Sequence, residues 1–321
     1  MKKLLIMISA MTAAVFSTAK ADVSVSGSAG LAMISGGNVL DGDDVSRATS
    51  GTLFQQGGAV SFAMSTTTAG GMTVSTSGGI TLDSNDAATA KAVSGLAAMT
   101  FAADGFTLTV GDIDLPAGGG AGEVGAVASA QVDNGGYTQT GIITGVSDTE
   151  GYGFTASTTV GAASVTFGYL LDKNPEGSNN AESASGDYGS GVTVTMPMGA
   201  MSVTLGYANV TGTADETTAG ASVSYALGGG TLKLGYESTD EATDSSTMSA
   251  AYTGSLDADT SYSIGYTDGE QGTAASTQLE AVVSRSLGGG ASVYVDMRSL
   301  SGDADSNGDG SAFGFGTSVA F

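Results

Sequence analysis

The strongest constraint on this chain is an alternation of apolar and polar residues with a period of two, repeated from end to end and interrupted by turn residues. That period belongs to strands, whose successive side chains point to opposite faces. In MSVTLGYANV, Met201, Val203, Leu205 and Tyr207 share one face, and Ser202, Thr204, Gly206 and Ala208 share the other. In TAGASVSYAL, Ala221, Val223, Tyr225 and Leu227 oppose Ser222, Ser224 and Ala226. The fold class is all-β. A composition led by Gly (52 residues), Ser, Thr, Ala and Val fits many short strands and leaves no room for long helices.

Alternation suits a soluble sandwich as well as a barrel in lipid, so the connections have to decide. Sixteen segments are counted, from 22–34 and 52–66 at the start to 291–299 and 311–321 at the end. Merging or splitting segments gives fourteen or eighteen. Links after even-numbered segments are tight, as at 69–71, 103–105, 161–162, 197–200, 228–230, 255–259 and 287–290. Links after odd-numbered segments are expected to be longer, polar and acidic, and the longest runs from Asp112 to Glu150. A transmembrane antiparallel barrel needs this rhythm, with short turns on one rim and longer loops on the other. Pro116, Pro175 and Pro197 all fall in predicted links. That is where they belong, because a proline in a ladder removes a donor that lipid cannot replace.

The first 21 residues read as a secretory signal. Lys2 and Lys3 form the charged start, Leu4 to Phe16 are mostly apolar, and Ala19-Lys20-Ala21 is a small-x-small cleavage site that makes Asp22 the mature N-terminus. The apolar part is too short to span a bilayer as a helix, and no later run approaches the ~20 residues a helical span needs. Removing the signal takes away three of the nine bases and no acid, which leaves six bases against 32 acids, a formal charge of −26. Such a field repels nucleic acid and anionic lipid heads and concentrates cations. Disorder is the weaker reading of this acidity, because charged residues are only 13% of the chain and mean hydropathy is positive.

Cysteine and histidine are absent. Disulfides, thiol nucleophiles, imidazole bases and most zinc or copper sites are thereby excluded. Serine hydrolysis would lack its usual base. The GGG runs at 118–120, 228–230 and 288–290 open no helix and read as turn or loop residues. Nothing points to an enzyme.

A signal segment, sixteen alternating segments and a terminal AFGFGTSVAF together resemble the general porins of Gram-negative outer membranes, especially the alphaproteobacterial type. Phe313, Phe315 and the terminal Phe321 share one face, and an aromatic last residue is similar to the signal by which the barrel-assembly machinery recognises its clients. The resemblance implies a homotrimer in outer-membrane lipid that passes ions and small polar solutes. It also implies that the third outer loop, residues 112–150, folds into the lumen. A link of that length is uncommon unless it is functional or disordered, and EVGAVASAQV could form a short helix from Glu123 to Val132. A lumen of sixteen strands is too wide to sieve small solutes unless something fills part of it, and charges at the narrowest point then set selectivity.

Asp112, Asp114, Glu123 and Asp133 are therefore the expected constriction acids, and a preference for cations is the expected consequence. Many family members oppose loop acids to a cluster of wall arginines, but only Arg47, Lys91, Lys173, Lys233, Arg285 and Arg298 remain in this mature chain. Parity places Lys233, Glu237, Glu280, Asp296 and Arg298 on the lumen wall. Arg285, on the apolar face near a turn, is expected to snorkel at the periplasmic interface. In GDADSNGDG, Asp303, Asp305, Asn307 and Asp309 alternate as in the first part of an EF-hand loop, so calcium is a candidate ligand; the twelfth position holds Gly314 where the motif needs Glu. The alternative for that segment is a solvated acidic loop. The alternative for the whole chain is a structural or adhesive surface barrel without conductance.

Overall fold

The structure, a computed structural model, describes residues 21–36, 51–83, 92–94, 97–116, 150–172, 188–212, 215–241, 243–302 and 310–321. Its strands are β1 (Ala21–Gly36), β2 (Gly51–Thr67), β3 (Thr73–Asp83), β4 (Ala92–Ser94), β5 (Met99–Ala103), β6 (Phe106–Asp114), β7 (Glu150–Val160), β8 (Ala163–Asp172) and β9 (Tyr188–Met198). They continue with β10 (Met201–Thr211), β11 (Glu216–Leu227), β12 (Gly230–Asp240), β13 (Ser245–Ser255), β14 (Thr260–Gln271), β15 (Ala274–Gly288), β16 (Ala291–Gly302) and β17 (Gly310–Ala320). Strands β4 and β5 both pair with β3, at Gly79–Thr81 and at Thr73–Ser75. They are two pieces of one stave, which gives a closed antiparallel barrel of sixteen staves. Strand β17 returns to β1 in a register running from Ser28–Ala320 to Gly36–Ala312. Phe321 extends that closure by exchanging backbone hydrogen bonds of 2.8 and 2.9 Å with Gly27. First and last strands thus lose the open edge that hydrocarbon cannot hydrate.

The period of two becomes an outside and an inside. On β10, Leu205 and Tyr207 are exposed, whereas Ala208 and Val210 are covered. The register carries each face around the wall, since Leu205 stands opposite Val194 and Ala221, and Val223 opposite Leu234. Apolar side chains therefore face outward, where lipid replaces a protein core. Hydroxyls face inward and pair across strands, as in Ser157–Thr166 (2.9 Å), Thr195–Thr204 (2.9 Å) and Thr218–Thr239 (3.0 Å). Tyrosines mark both ends of the outward band: Tyr225, Tyr252 and Tyr262 toward the short turns, and Tyr207, Tyr236 and Tyr266 toward the opposite rim.

The short turns match the expected positions. Asp104-Gly105 and Gly161-Ala162 are two-residue connections with φ of 69° at Gly105 and 65° at Gly161. Open space surrounds both glycines, so backbone conformation alone demands them.

Three expectations need correction. Links after β10, β12 and β14 are short, at 212–215, 241–244 and 272–273, so the long-short rhythm fails at these three successive links, whereas the seven-residue link 303–309 after β16 keeps it. The polar ends of these strands, such as Glu216, Asp240 and Glu270, look like loop in sequence, yet the ladder continues after the apolar band stops. Pro197 lies inside β9, opposite Ser202. It is tolerated because pairing with β8 has already ended at Thr195, which leaves that side of β9 without a ladder to interrupt. Asp112 and Asp114 belong to β6 and not to the link.

Candidate functional site: the inner wall

Strand β6 ends by turning its chain onto the inside of the barrel. Ile113 continues the inward parity of Thr109 and Gly111, and after Asp114 the chain leaves the ladder at Leu115 and Pro116. Ile113 and Leu115 are buried in one cluster with Leu170, Ala208 and Val210. The seat is made by register: Gly168 and Ala208 both stand opposite Gly191, and Leu170 and Val210 both stand opposite Gly189. A Cβ added at Gly168 would run into the ring of Pro116. One at Gly189 would lie 2.9 Å from Cδ1 of Leu115, and one at Gly191 would lie 3.1 Å from the carbonyl oxygen of Pro116. Three glycines thus clear a trough on the wall for the root of the longest link.

The other side of the wall carries charge. Lys233 faces Ala251, which faces Gly265, then Glu280, then Arg298, so one hydrogen-bonded row joins three of the expected wall residues. Asp296 lies two residues along β16 from Arg298, opposite Val282 and Gly314, and Glu237 faces Thr247 and Gly220. All five take the inward face; Lys233 is exposed and the other four are buried. Arg298 Nε donates to Oε1 of Glu280 at 2.7 Å, its Nη2 pairs with the same oxygen, and Gln278 Nε2 donates to it at 2.5 Å.

Two wall residues escaped the sequence reading. Glu216 is buried on the inward face at the start of β11, although its polar surroundings suggested a link; extending the parity of Ser222 backward would have found it. Tyr294 is 2% exposed and lies over Gly316, on the same face as Asp296, although tyrosine suggests a membrane interface. Its hydroxyl has no hydrogen-bond partner among the described residues. At full ionisation the inner wall of β11 to β16 thus carries four carboxylates, Glu216, Glu237, Glu280 and Asp296, against Lys233 and Arg298.

The remaining expected residues are placed as follows. Asp112 and Asp114 are exposed and share the face of Leu108 and Val110, opposite to that of Ile113. Glu123, Asp133 and the helix expected at 123–132 lie outside the described residues, as do Asp303, Asp305, Asn307 and Asp309. Among the described residues, no group of three potential side-chain metal ligands gathers. Phe313, Phe315 and Phe321 point outward and are exposed. Ala21 and Asp22 open β1, opposite Thr66 and Ser65. Arg285 is on the outward face near the short turns, 3.2 Å from Asp257 and 2.7 Å from the Thr260 hydroxyl. The backbone N–H of Asp259, the Thr260 hydroxyl and the Arg285 guanidinium hold the Asp257 carboxyl below the usual carboxylate range.

Solved porins share this architecture. OmpF of Salmonella typhi, in complex with daunomycin, superposes with a TM-score of 0.68 at 17% identity, covering 93% of this chain and 97% of its own. The anion-selective porin of Comamonas acidovorans gives 0.65 at 14% identity, with 94% and 100% covered. OmpT of Vibrio cholerae, in its trimer form, gives 0.64 at 14% identity, with 94% and 99% covered. At such identities the likeness is one of fold, and the charge preference of the Comamonas protein remains its own. No curated protein matches the sequence. The family profile described as Gram-negative porin matches residues 7–305, nearly the whole barrel, and the chain accordingly belongs to the Gram-negative porins, passive-diffusion channels of the outer membrane.

Proposed function

We propose that this porin is a cation-preferring diffusion pore whose third outer link narrows the lumen. The observation that carries the reading is the seat of Leu115 and Pro116 on Gly168, Gly189 and Gly191, which directs the chain inward at the point where the long link begins. Glu123 and Asp133 then supply negative charge near the narrowest point, and the inner-wall carboxylates outnumber the bases behind them. Low-dielectric walls focus that field onto the aqueous path. Asp112 and Asp114, on the outward face of β6, contribute less than their position in the sequence suggests.

Reversal potentials across a salt gradient test this. The parent pore should favour cations, and Glu123→Gln with Asp133→Asn should reduce the preference several-fold, whereas Asp112→Asn with Asp114→Asn should leave it nearly unchanged. Anion preference in the parent would overturn the reading. Well-folded protein that stays silent in a planar bilayer would instead favour a surface barrel without conductance.

Assembly belongs to the same proposal. The trimer form of OmpT is a property of that protein. Here the outward face of β1, with Val23, Val25, Leu31 and Met33 exposed, suits protein packing, and β1 to β6 contain no tyrosine. A homotrimer through this face is the arrangement we infer, with the aromatic C-terminus read by the barrel-assembly machinery. N-terminal sequencing of the exported protein should begin at Asp22. Calcium at 303–309 is tested by chelation, which should lower thermal stability if Asp303, Asp305, Asn307 and Asp309 hold the ion; unchanged stability would leave a solvated loop.

A further inference from the structure

A groove of about 380 Å³ crosses the outward face of β10 to β14. Two cross-strand rows build it. Ala221, Tyr236 and Met248 form one, and Val223, Leu234, Ala250 and Tyr266 form the next. Ala221 and Ala250 are the floor, because their methyl groups stand among large, exposed neighbours. Leu234, Tyr236, Met248 and Tyr266 are the walls. The groove is bounded toward the rim away from the short turns by that end's own tyrosines, Tyr236 and Tyr266, and extends from them into the zone that lipid tails occupy.

The same face changes chemistry toward the rim away from the short turns. A row of Ala219, Ser238, Ser246 and Glu270 follows the groove, and with Asp240 and Asp244 beyond it this row lines an adjoining hollow of about 460 Å³. Asp268 stands beside Met248 on the same face. Among the described residues, no base answers these acids: Lys233 and Arg298 point into the lumen and Arg285 sits near the short turns. Apolar trough and acidic mouth are therefore continuous along β11 to β14.

We propose that this face seats a membrane lipid with a cationic, amine-bearing headgroup, its acyl chain in the groove and its head against Asp240, Asp244 and Glu270. An acyl chain matches the shape and polarity of the trough, and a positive head is the complement of a mouth that repels phosphate. The inference concerns the lipid-facing side and is independent of what the lumen selects.

The chain contains no tryptophan, so Tyr236→Trp supplies a single reporter at the groove wall. The full barrel is reconstituted in phosphatidylcholine with increasing tail-brominated lipid, headed either by trimethylammonium or by phosphatidylglycerol. The cationic lipid should reach half-maximal quenching at a several-fold lower mole fraction than the anionic one. That difference should vanish in the variant combining Asp240→Asn, Asp244→Asn and Glu270→Gln. Should that variant fail to fold, raised ionic strength on the protein with acids intact should collapse the difference in the same way. Phe167→Trp, a reporter on the outward face of β8, should show no preference. Equal quenching by both lipids overturns the proposal, as does preference for the anionic lipid that a chelator abolishes, or a reporter that neither lipid reaches because another subunit covers it.

Discussion

Arg298 and Glu280 face each other on neighbouring strands of the inner wall, Nε to Oε1 at 2.7 Å, with side chains only 5% and 3% exposed. Removing the guanidinium leaves the Glu280 carboxylate buried with the Gln278 amide but without this counter-charge. Arg298→Met should therefore destabilise the barrel by about 3 kcal/mol in denaturant titrations. Replacing both, as Glu280→Leu with Arg298→Met, should recover most of that loss, because the cost comes from a buried charge that has lost this counter-charge. Equal losses in single and double variants would show that local packing matters more than the ion pair.

Gly168 controls the root of the longest link. A valine there places its Cβ where the ring of Pro116 lies, and overpacking of this kind costs about 1–3 kcal/mol. Gly168→Val should still give a folded barrel in detergent, but its single-channel conductance should differ from that of the parent. Gly161→Ala, at a turn with nothing near its Cβ, should leave conductance unchanged while costing stability through its positive φ.

Asp257 has a carboxyl held below its ordinary range by the Asp259 N–H, the Thr260 hydroxyl and Arg285. A depressed folded-state value means that its stabilisation is complete above the unfolded carboxylate range near pH 4 and is lost as pH falls through the folded value. Asp257→Asn should therefore reduce the loss of thermal stability on moving from neutral pH to about pH 3, by a small amount because the pair is exposed. An acid-side slope identical to that of the parent would remove Asp257 as a contributor.

Ala29 and Leu31 share the tyrosine-free outward face of β1. Ala29→Trp with Leu31→Trp should weaken the oligomer in mild detergent while the barrel still folds, as read by native mass and by circular dichroism. A monomer in the parent protein, or an interface built from β10 to β14, would refute the assignment.

Strand character, the two faces and most short turns were legible in the sequence, because parity is a local property: Lys233, Glu237, Glu280, Asp296 and Arg298 needed only their neighbours to be placed inside. The acidity was legible too, because charge is a sum over residues. Where a strand stops was not legible. Hydrophobicity marks the bilayer, but the ladder ends where its partners end, and Glu216, Pro197 and Asp112 were misplaced for that reason. Nor could one strand predict the trough of Gly168, Gly189 and Gly191, since it arises from the register of β8, β9 and β10 meeting a chain end more than fifty residues upstream of Gly168. Sequence determined which face each side chain takes; tertiary structure decided which residues lie side by side on that face, because lateral register is fixed by pairing between strands and not by the alternation within any one of them.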